Sequence, residues 1–249
     1  MSDVDVSVAR ERMGRALGDW IVSSEMSHEV SPGLWYFFSG LPVADVNMAM
    51  IYNDDMNVLT KTLNEIVRMN VPTCLFLAAY GKNLSDRLAD EWSHVGVLPL
   101  MTKVLDNDVQ DFDPRVSLVT IDDIDAAVAL MAESFLHDPV NFAFLVEAFN
   151  SPDSLSKIWL LKEDGVAVST VTTILVDDAL TVWCMATPPQ YARKGYGKAL
   201  LRDVLNRSAN TGAKTGLLGA TPAGQPLYKA SGWEVLEEWD LYLNSPANH

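Results

Sequence analysis

The chain has 249 residues, 49% of them hydrophobic, enough to bury one or two full cores. With 18 basic residues against 33 acidic ones its formal charge is −15, which argues against a nucleic-acid partner, whose phosphates demand a basic face. No apolar run approaches the length that spans a membrane, Met1-Ser-Asp-Val-Asp5 has no basic segment followed by an apolar one, and His28, His94, His137, His249 and the two thiols show no metal-ligand spacing; these features predict a cytoplasmic protein with no membrane contact and no metal.

In chain order, residues 4–26 have the apolar spacing of an amphipathic helix. Trp35 to Phe38 and Val46 to Tyr52 are predicted strands, 57–69 a helix, 73–79 a buried strand, 84–92 a helix and 98–105 a strand. The consecutive run Trp35-Tyr-Phe-Phe38 cannot turn one face to water, so both faces of that strand are expected to be covered. Asn53-Asp-Asp-Met-Asn57 joins a strand to a helix with two acids and no glycine, an arrangement that repels a diphosphate. The acidic, proline-containing stretch from Asp106 to Pro114 is the predicted linker, and it sets expected domains of 1–114 and 115–249. The charge divides evenly: 9 basic and 17 acidic residues up to Arg115, then 9 basic and 16 acidic. Neither half is a basic arm.

Beyond the linker, Arg115 to Thr120 is a predicted strand, and 122–137 has helical spacing at Ile124, Ala127, Leu130, Met131 and Phe135. Residues 140–149 form a second predicted helix. Strands at 156–162 and 166–176 flank Glu163-Asp-Gly165, a hairpin signal. The strand Leu180-Thr-Val-Trp-Cys-Met-Ala186 follows. Cys184 and Cys74 fall in buried strands and are expected to be reduced thiols; apolar neighbours make packing a better account of Cys184 than nucleophilic chemistry. Then comes Tyr191-Ala-Arg-Lys-Gly-Tyr-Gly-Lys-Ala-Leu200, opening a helix through Leu201, Val204 and Leu205. A strand at 215–221, a short helix at 222–231 and a last strand at 233–243 complete the chain.

The turn 191–198 is the most informative stretch. A glycine turn between strand and helix presents free backbone N–H groups at the positive end of the helix dipole, and Arg193, Lys194, Lys198 and Arg202 crowd it. An acidic chain with one basic turn is suited to a phosphorylated small molecule. A nucleotide-triphosphate loop fails, because Ala192 stands at the first glycine and Ala199 at the hydroxyl position. A dinucleotide fingerprint fails at Leu200, where a third glycine is required. Taken alone, the turn is also compatible with a plain surface helix start. Ala192-Arg-Lys-Gly195-Tyr-Gly197 resembles the acyl-coenzyme A pyrophosphate loop of the GNAT N-acetyltransferases, Gln/Arg-x-x-Gly-x-Gly/Ala, except that Ala192 replaces the polar first residue. Leu227-Tyr-Lys-Ala-Ser-Gly-Trp233 resembles a second signature of the family, and Met185-Ala-Thr-Pro-Pro-Gln-Tyr191 its strand end and proline turn. The resemblance runs from about Val116 to Leu243.

It implies an α/β (α+β) acyl-CoA N-acyltransferase fold with a mixed central sheet, preceded by a smaller α/β half whose strand order is similar and which is either a degenerate, coenzyme-free copy or an unrelated domain. It implies acetyl-CoA as co-substrate, held through Met185, Ala186, Thr187, Ala192, Arg193, Lys194, Gly195, Tyr196, Gly197, Lys198 and Thr221, and Tyr228 as the proton donor to the departing thiolate. Acetyl transfer also needs a polarised thioester carbonyl and a deprotonated amine. Glu133, His137 and Asp138, at the helix end where the family's acceptor pocket lies, are candidates on the acceptor side, as are Glu237 and Glu238. The expected partner is a small amine or a peptide amine; a homodimer stays open, and so does the alternative of a non-catalytic acyl-CoA-binding or interaction protein.

Overall fold

The computed structural model describes residues 4–106 and 112–244. The predicted linker lies largely outside the described residues. The chain forms two compact units that are interleaved in sequence: an amino-terminal unit of Asp5–Leu100, Gly219–Thr221 and the chain from Val235, and a carboxy-terminal unit built from Met101–Leu218 and Pro222–Glu234.

The amino-terminal unit begins with α1 (Val6–Leu17), whose first N–H groups are satisfied by the Asp5 carboxylate, 2.7 Å from the Ser7 nitrogen. The helix expected to reach Met26 stops nine residues early; a 3₁₀ turn at Gly18–Trp20 ends it. A strand absent from the expectations, β1 (Ser27–Ser31), then pairs antiparallel with β2 (Leu34–Phe38), and β2 with β3 (Asn47–Ile51). After α2 (Met56–Met69) the chain returns as β4 (Cys74–Leu77), parallel to β3. The helix expected at 84–92 does not form. A 3₁₀ segment at Ala79–Arg87 and the start of β5 (Trp92–Val104) take its place, because the Leu84, Leu88, Trp92 spacing that mimics a helix serves a turn followed by a strand. β4 receives its second neighbour from the end of the chain: β11 (Glu234–Asn244) runs antiparallel to it, with Asp240 opposite Leu77.

Every residue of β2 is buried, as the aromatic run requires. Tyr36 and Phe38 stack at 5.0 Å on the face covered by Leu59 and Ile66 of α2. Trp35 and Phe37 occupy the other face. A methyl group on Gly14 of α1 would lie 2.5 Å from the Trp35 ring, and Trp20 meets Phe37 edge-on at 5.8 Å. Helices on both faces of a sheet that contains a parallel pair explain why its strands read as continuous apolar runs.

The carboxy-terminal unit holds β6 (Val116–Leu118), α3 (Ile124–Phe135), α4 (Ala143–Asn150), β7 (Ser156–Glu163), β8 (Val166–Val176), β9 (Ala179–Ala186), α5 (Tyr196–Asn210), β10 (Thr215–Gly219) and α6 (Gln225–Ala230). β6 to β9 form an antiparallel ladder, and β10 joins β9 in parallel. Asp164 and Gly165 both take positive φ, which is the geometry a two-residue Asp-Gly hairpin needs. Residues 101–104 of β5 belong to this unit. The Thr102 hydroxyl donates to the Gly216 carbonyl at 3.2 Å, and the Leu105 amide to Lys214 at 2.9 Å. Each unit thus includes strand residues drawn from the other half of the chain. Past the linker, the buried Asp203 of α5 accepts the Asp113 amide at 2.6 Å and the Arg207 guanidinium, which lies over the Phe112 ring.

Candidate functional site

The turn from β9 into α5 is shaped by backbone conformation. A 3₁₀ turn at Pro189–Tyr191 leads to Ala192 in an extended conformation, then Arg193 at φ 60° and Gly195 at φ 85°. The left-handed region is open to glycine and uncommon for arginine, so the backbone at Arg193 is strained. Nothing lies within 4 Å of a Cβ built at Gly195; the requirement for glycine there is its φ. Gly195 is the N-cap of α5, with no side-chain cap and no acidic residue in the first turn. The helix's first internal bond runs from the Ala199 amide to the Gly195 carbonyl. The preceding N–H groups and roughly half a unit of positive charge from the helix dipole face outward there. Arg193, Lys194 and Lys198 are exposed and have no carboxylate partner among the described residues; Lys194 lies over the Tyr191 ring at 5.8 Å.

Gly197 has a different reason to be glycine. A Cβ there would approach the Thr187 hydroxyl to 3.1 Å and the Met185 methyl to 3.4 Å, so the first turn of α5 sits directly on the end of β9. Thr187 is fixed by the Ser169 hydroxyl at 2.8 Å, which itself donates to the Ala186 carbonyl. The strand end is also distorted. Between the pairs Thr170↔Ala186 and Thr172↔Trp183 the register slips, and Cys184 takes φ 48°. This is a β-bulge, a device that bends a strand beside a site. The parallel ladder of β9 with β10 ends at Leu217↔Thr181, although β9 runs on to Ala186.

Tyr228 comes from α6 and is 8% exposed, with its hydroxyl 3.7 Å from the Met185 sulfur and its ring edge-on to Trp233. Burial pushes its pKa up to about 12. The phenol is therefore neutral near pH 7, and among the described residues its hydroxyl meets a thioether, a weak acceptor. Met185, Ala186, Thr187, Gly197 and Tyr228 are thus brought together, and the basic turn is continuous with them. Thr221 is exposed and belongs to the other unit.

Among the acceptor-side candidates, Glu133 is exposed and accepts from the Gln190 amide at 3.0 Å, which ties the end of α3 to the entry of the basic turn. His137 lies 6.2 Å from the Phe142 ring. Asp138 caps the 3₁₀ turn at Pro139–Phe142 through the Val140 amide. Glu237 is in the amino-terminal unit, in a two-point ion pair with Arg10 (Nη2–Oε1 2.5 Å), and also accepts from the Trp239 indole; that carboxylate is fully engaged. Cys184 is half-buried and Cys74 buried, both as free thiols, and burial raises the Cys74 pKa. Among the described residues no cluster of His, Cys, Asp and Glu is arranged to hold a metal, and no helix is long and apolar enough to cross a membrane.

Sequence reasoning missed Gln190, Ser169 and the bulge at Cys184. The serine's role depends on a register that pattern alone does not reveal.

Residues 154–235 match the family model of the acetyltransferase (GNAT) domain, a span that contains the basic turn and Tyr228. No curated protein matches the chain. Among solved structures, a GCN5-related N-acetyltransferase from Kribbella flavida is similar over 99% of this chain and 98% of its own, with a TM-score of 0.68 at 18% identity. A GCN5-related N-acetyltransferase from Sphaerobacter thermophilus is similar over 96% and 91%, with a TM-score of 0.61 at 16% identity. A GNAT-family protein from Novosphingobium aromaticivorans is similar over 98% and 100%, with a TM-score of 0.64 at 15% identity. The match to the GNAT domain is confined to residues 154–235, while the mixed α/β fold is similar to that of these solved structures over nearly the whole length of the chain, the amino-terminal unit included.

Proposed function

We propose that the protein is an acyl-CoA-dependent N-acyltransferase that moves an acetyl group from acetyl-CoA to an amine of a small molecule or peptide, by direct attack of the amine on the thioester. The observation that carries this is the uncapped N-terminus of α5, ringed by Arg193, Lys194 and Lys198 in a chain of charge −15. A diphosphate there gains the open N–H groups, the dipole and the three cations together. In this assignment residues 192–198 hold the diphosphate. The backbone of Met185, Ala186 and Thr187 polarises the thioester carbonyl where β9 continues past its ladder with β10.

Tyr228 is the proposed donor to the departing sulfur. An ordinary thiol titrates near 8.5, well below the phenol's value of about 12. Full proton transfer from the phenol is uphill, so Tyr228 works as a hydrogen-bond donor that stabilises the developing thiolate, and the sulfur's proton equilibrates with solvent. Glu133 and His137 are the proposed groups on the acceptor side, Glu133 positioned by Gln190. Asp138 has a structural use already.

Calorimetry with acetyl-CoA, together with free-thiol release across a panel of amines, tests the assignment. Tyr228→Phe is expected to slow turnover about 10- to 100-fold while changing coenzyme affinity less than about twofold. Absence of binding at millimolar acetyl-CoA would overturn it. Binding without thiol release for any amine would favour the non-catalytic acyl-CoA-binding alternative, to which Ala192 at the loop's first position lends weight.

A further inference from the structure

A cavity of about 370 Å³ lies along α5 in the carboxy-terminal unit, beginning at the first turn of the helix. Lys198 lines it and also belongs to the basic turn. Arg202 stands one helical turn further on, about 6 Å along the axis. Lys103, on β5, and Ser231, just past α6, also line it, and among the described residues Asp106 is the one acidic lining residue. Among the described residues, three cations against one carboxylate is an unusual balance in a chain of charge −15. Lys103 is fixed in place: its ammonium donates to the Ser231 carbonyl at 2.7 Å, which leaves it further donors. Arg202 is exposed, and Asp113 is near enough to interact with it electrostatically. Lys103 lies outside the residues matched to the acetyltransferase family model.

We infer that this cavity binds the phosphate monoester on the 3′ position of the coenzyme's ribose, through Lys103 and Arg202 with Lys198 shared between the two phosphate groups, and that the protein is thereby selective for coenzyme A over its 3′-dephospho form. The inference rests on the coenzyme reading of the α5 turn. A single ribose separates the diphosphate from the 3′-phosphate, and one turn of α5 separates the basic turn from Arg202. A phosphate monoester at pH 7 carries between one and two negative charges. It therefore gains more from a wall of three cations than any neutral part of the ligand would.

The test is titration of the full chain, by calorimetry, with acetyl-CoA and with 3′-dephospho-acetyl-CoA. The expected result is at least about tenfold tighter binding of acetyl-CoA. Arg202→Met should weaken acetyl-CoA binding about tenfold and leave the dephospho form unchanged, closing the gap between the two ligands. Lys103→Met should do the same; because that change also removes the bond to Ser231, Arg202→Met is the decisive variant. Equal binding of both ligands by the wild-type chain, or an Arg202→Met effect of the same size on both, overturns the inference while leaving the coenzyme reading intact. Failure of both ligands to bind overturns the coenzyme reading and the inference with it.

Discussion

The turn from β3 into α2 and the turn from β9 into α5 join the same elements in the same order: a strand, a helix, and a second strand parallel to the first. They treat the positive end of the helix in opposite ways. At α2 the Asp55 side chain caps the helix, accepting the Asn57 amide at 2.8 Å, and Asn53 in turn holds the Asp55 amide. At α5 the cap is Gly195, which has no side chain to offer. The N-terminus of a helix attracts an anion. In one unit the chain's own carboxylate is that anion, and in the other no side chain caps the helix. The contrast continues after the second parallel strand. β10 leads to α6 and a Tyr228 that is 8% exposed, whereas β4 leads to a 3₁₀ segment whose Tyr80 is 72% exposed.

The most drastic way to break the comparison is to separate the two halves of the chain. Residues 115–249 expressed alone lack the strand residues 101–104 and carry β11 without β4. The expected outcome is an insoluble or unfolded fragment by circular dichroism and gel filtration; a soluble fragment with full acetyl-CoA affinity would show that the interleaving is dispensable. Next in size is Gly197→Val. Bulk at the contact with Thr187 and Met185 should lift α5 off β9 and weaken acetyl-CoA binding by about 3 kcal/mol or more, on the scale of overpacking a tight contact. Arg193→Ala should cost about 1.5–3 kcal/mol of coenzyme binding if its guanidinium makes a charge-assisted bond to phosphate, with a loss that shrinks as salt rises.

Tyr228 gives a pH signature that its exposed counterpart should not. Its folded pKa, about 12, is above the ordinary value of 10.0. Its contribution to stability is therefore complete below pH 10 and is lost as pH rises toward 12, up to roughly 2.7 kcal/mol for two units. Chemical denaturation across that range should show a shallower alkaline fall in Tyr228→Phe than in the wild type. Asp55→Ala, the smallest change, should cost about 1 kcal/mol of stability through the lost cap. It should leave acetyl-CoA affinity untouched, and any change in that affinity would contradict the assignment of coenzyme binding to the α5 turn alone.

The α5 turn was legible in the sequence because everything that defines it is local. Gly195, Gly197 and the surrounding cations lie within a few residues, and the strand and helix patterns on either side are strong. The buried run at 35–38 was legible for the same reason. β1 was not, because Ser27-His-Glu-Val-Ser31 is half-buried throughout and alternates nothing. The helix expected at 84–92 failed because spacing over three apolar residues cannot separate a turn-plus-strand from a helix. The bulge at Cys184 was hidden because nothing in a cysteine announces a positive φ. The placement of β11 beside β4 was invisible for a deeper reason. An apolar strand pattern specifies that a strand must be paired, and it does not name the partner.

That placement makes the closure of one strand wait for a segment synthesised much later. Leu77 faces Asp240 across the ladder, so β4 lacks its second neighbour until β11, far downstream, has been made. At ordinary elongation rates the wait is on the order of ten to thirty seconds for the intervening stretch. During that interval the edge of a fully apolar strand, Cys74–Leu77, is open to whatever else can pair with it. A chain cut short between α6 and β11 would keep the α5 turn and leave the other unit unclosed. Such a chain would be a substrate for chaperones and proteases before it could become a working protein.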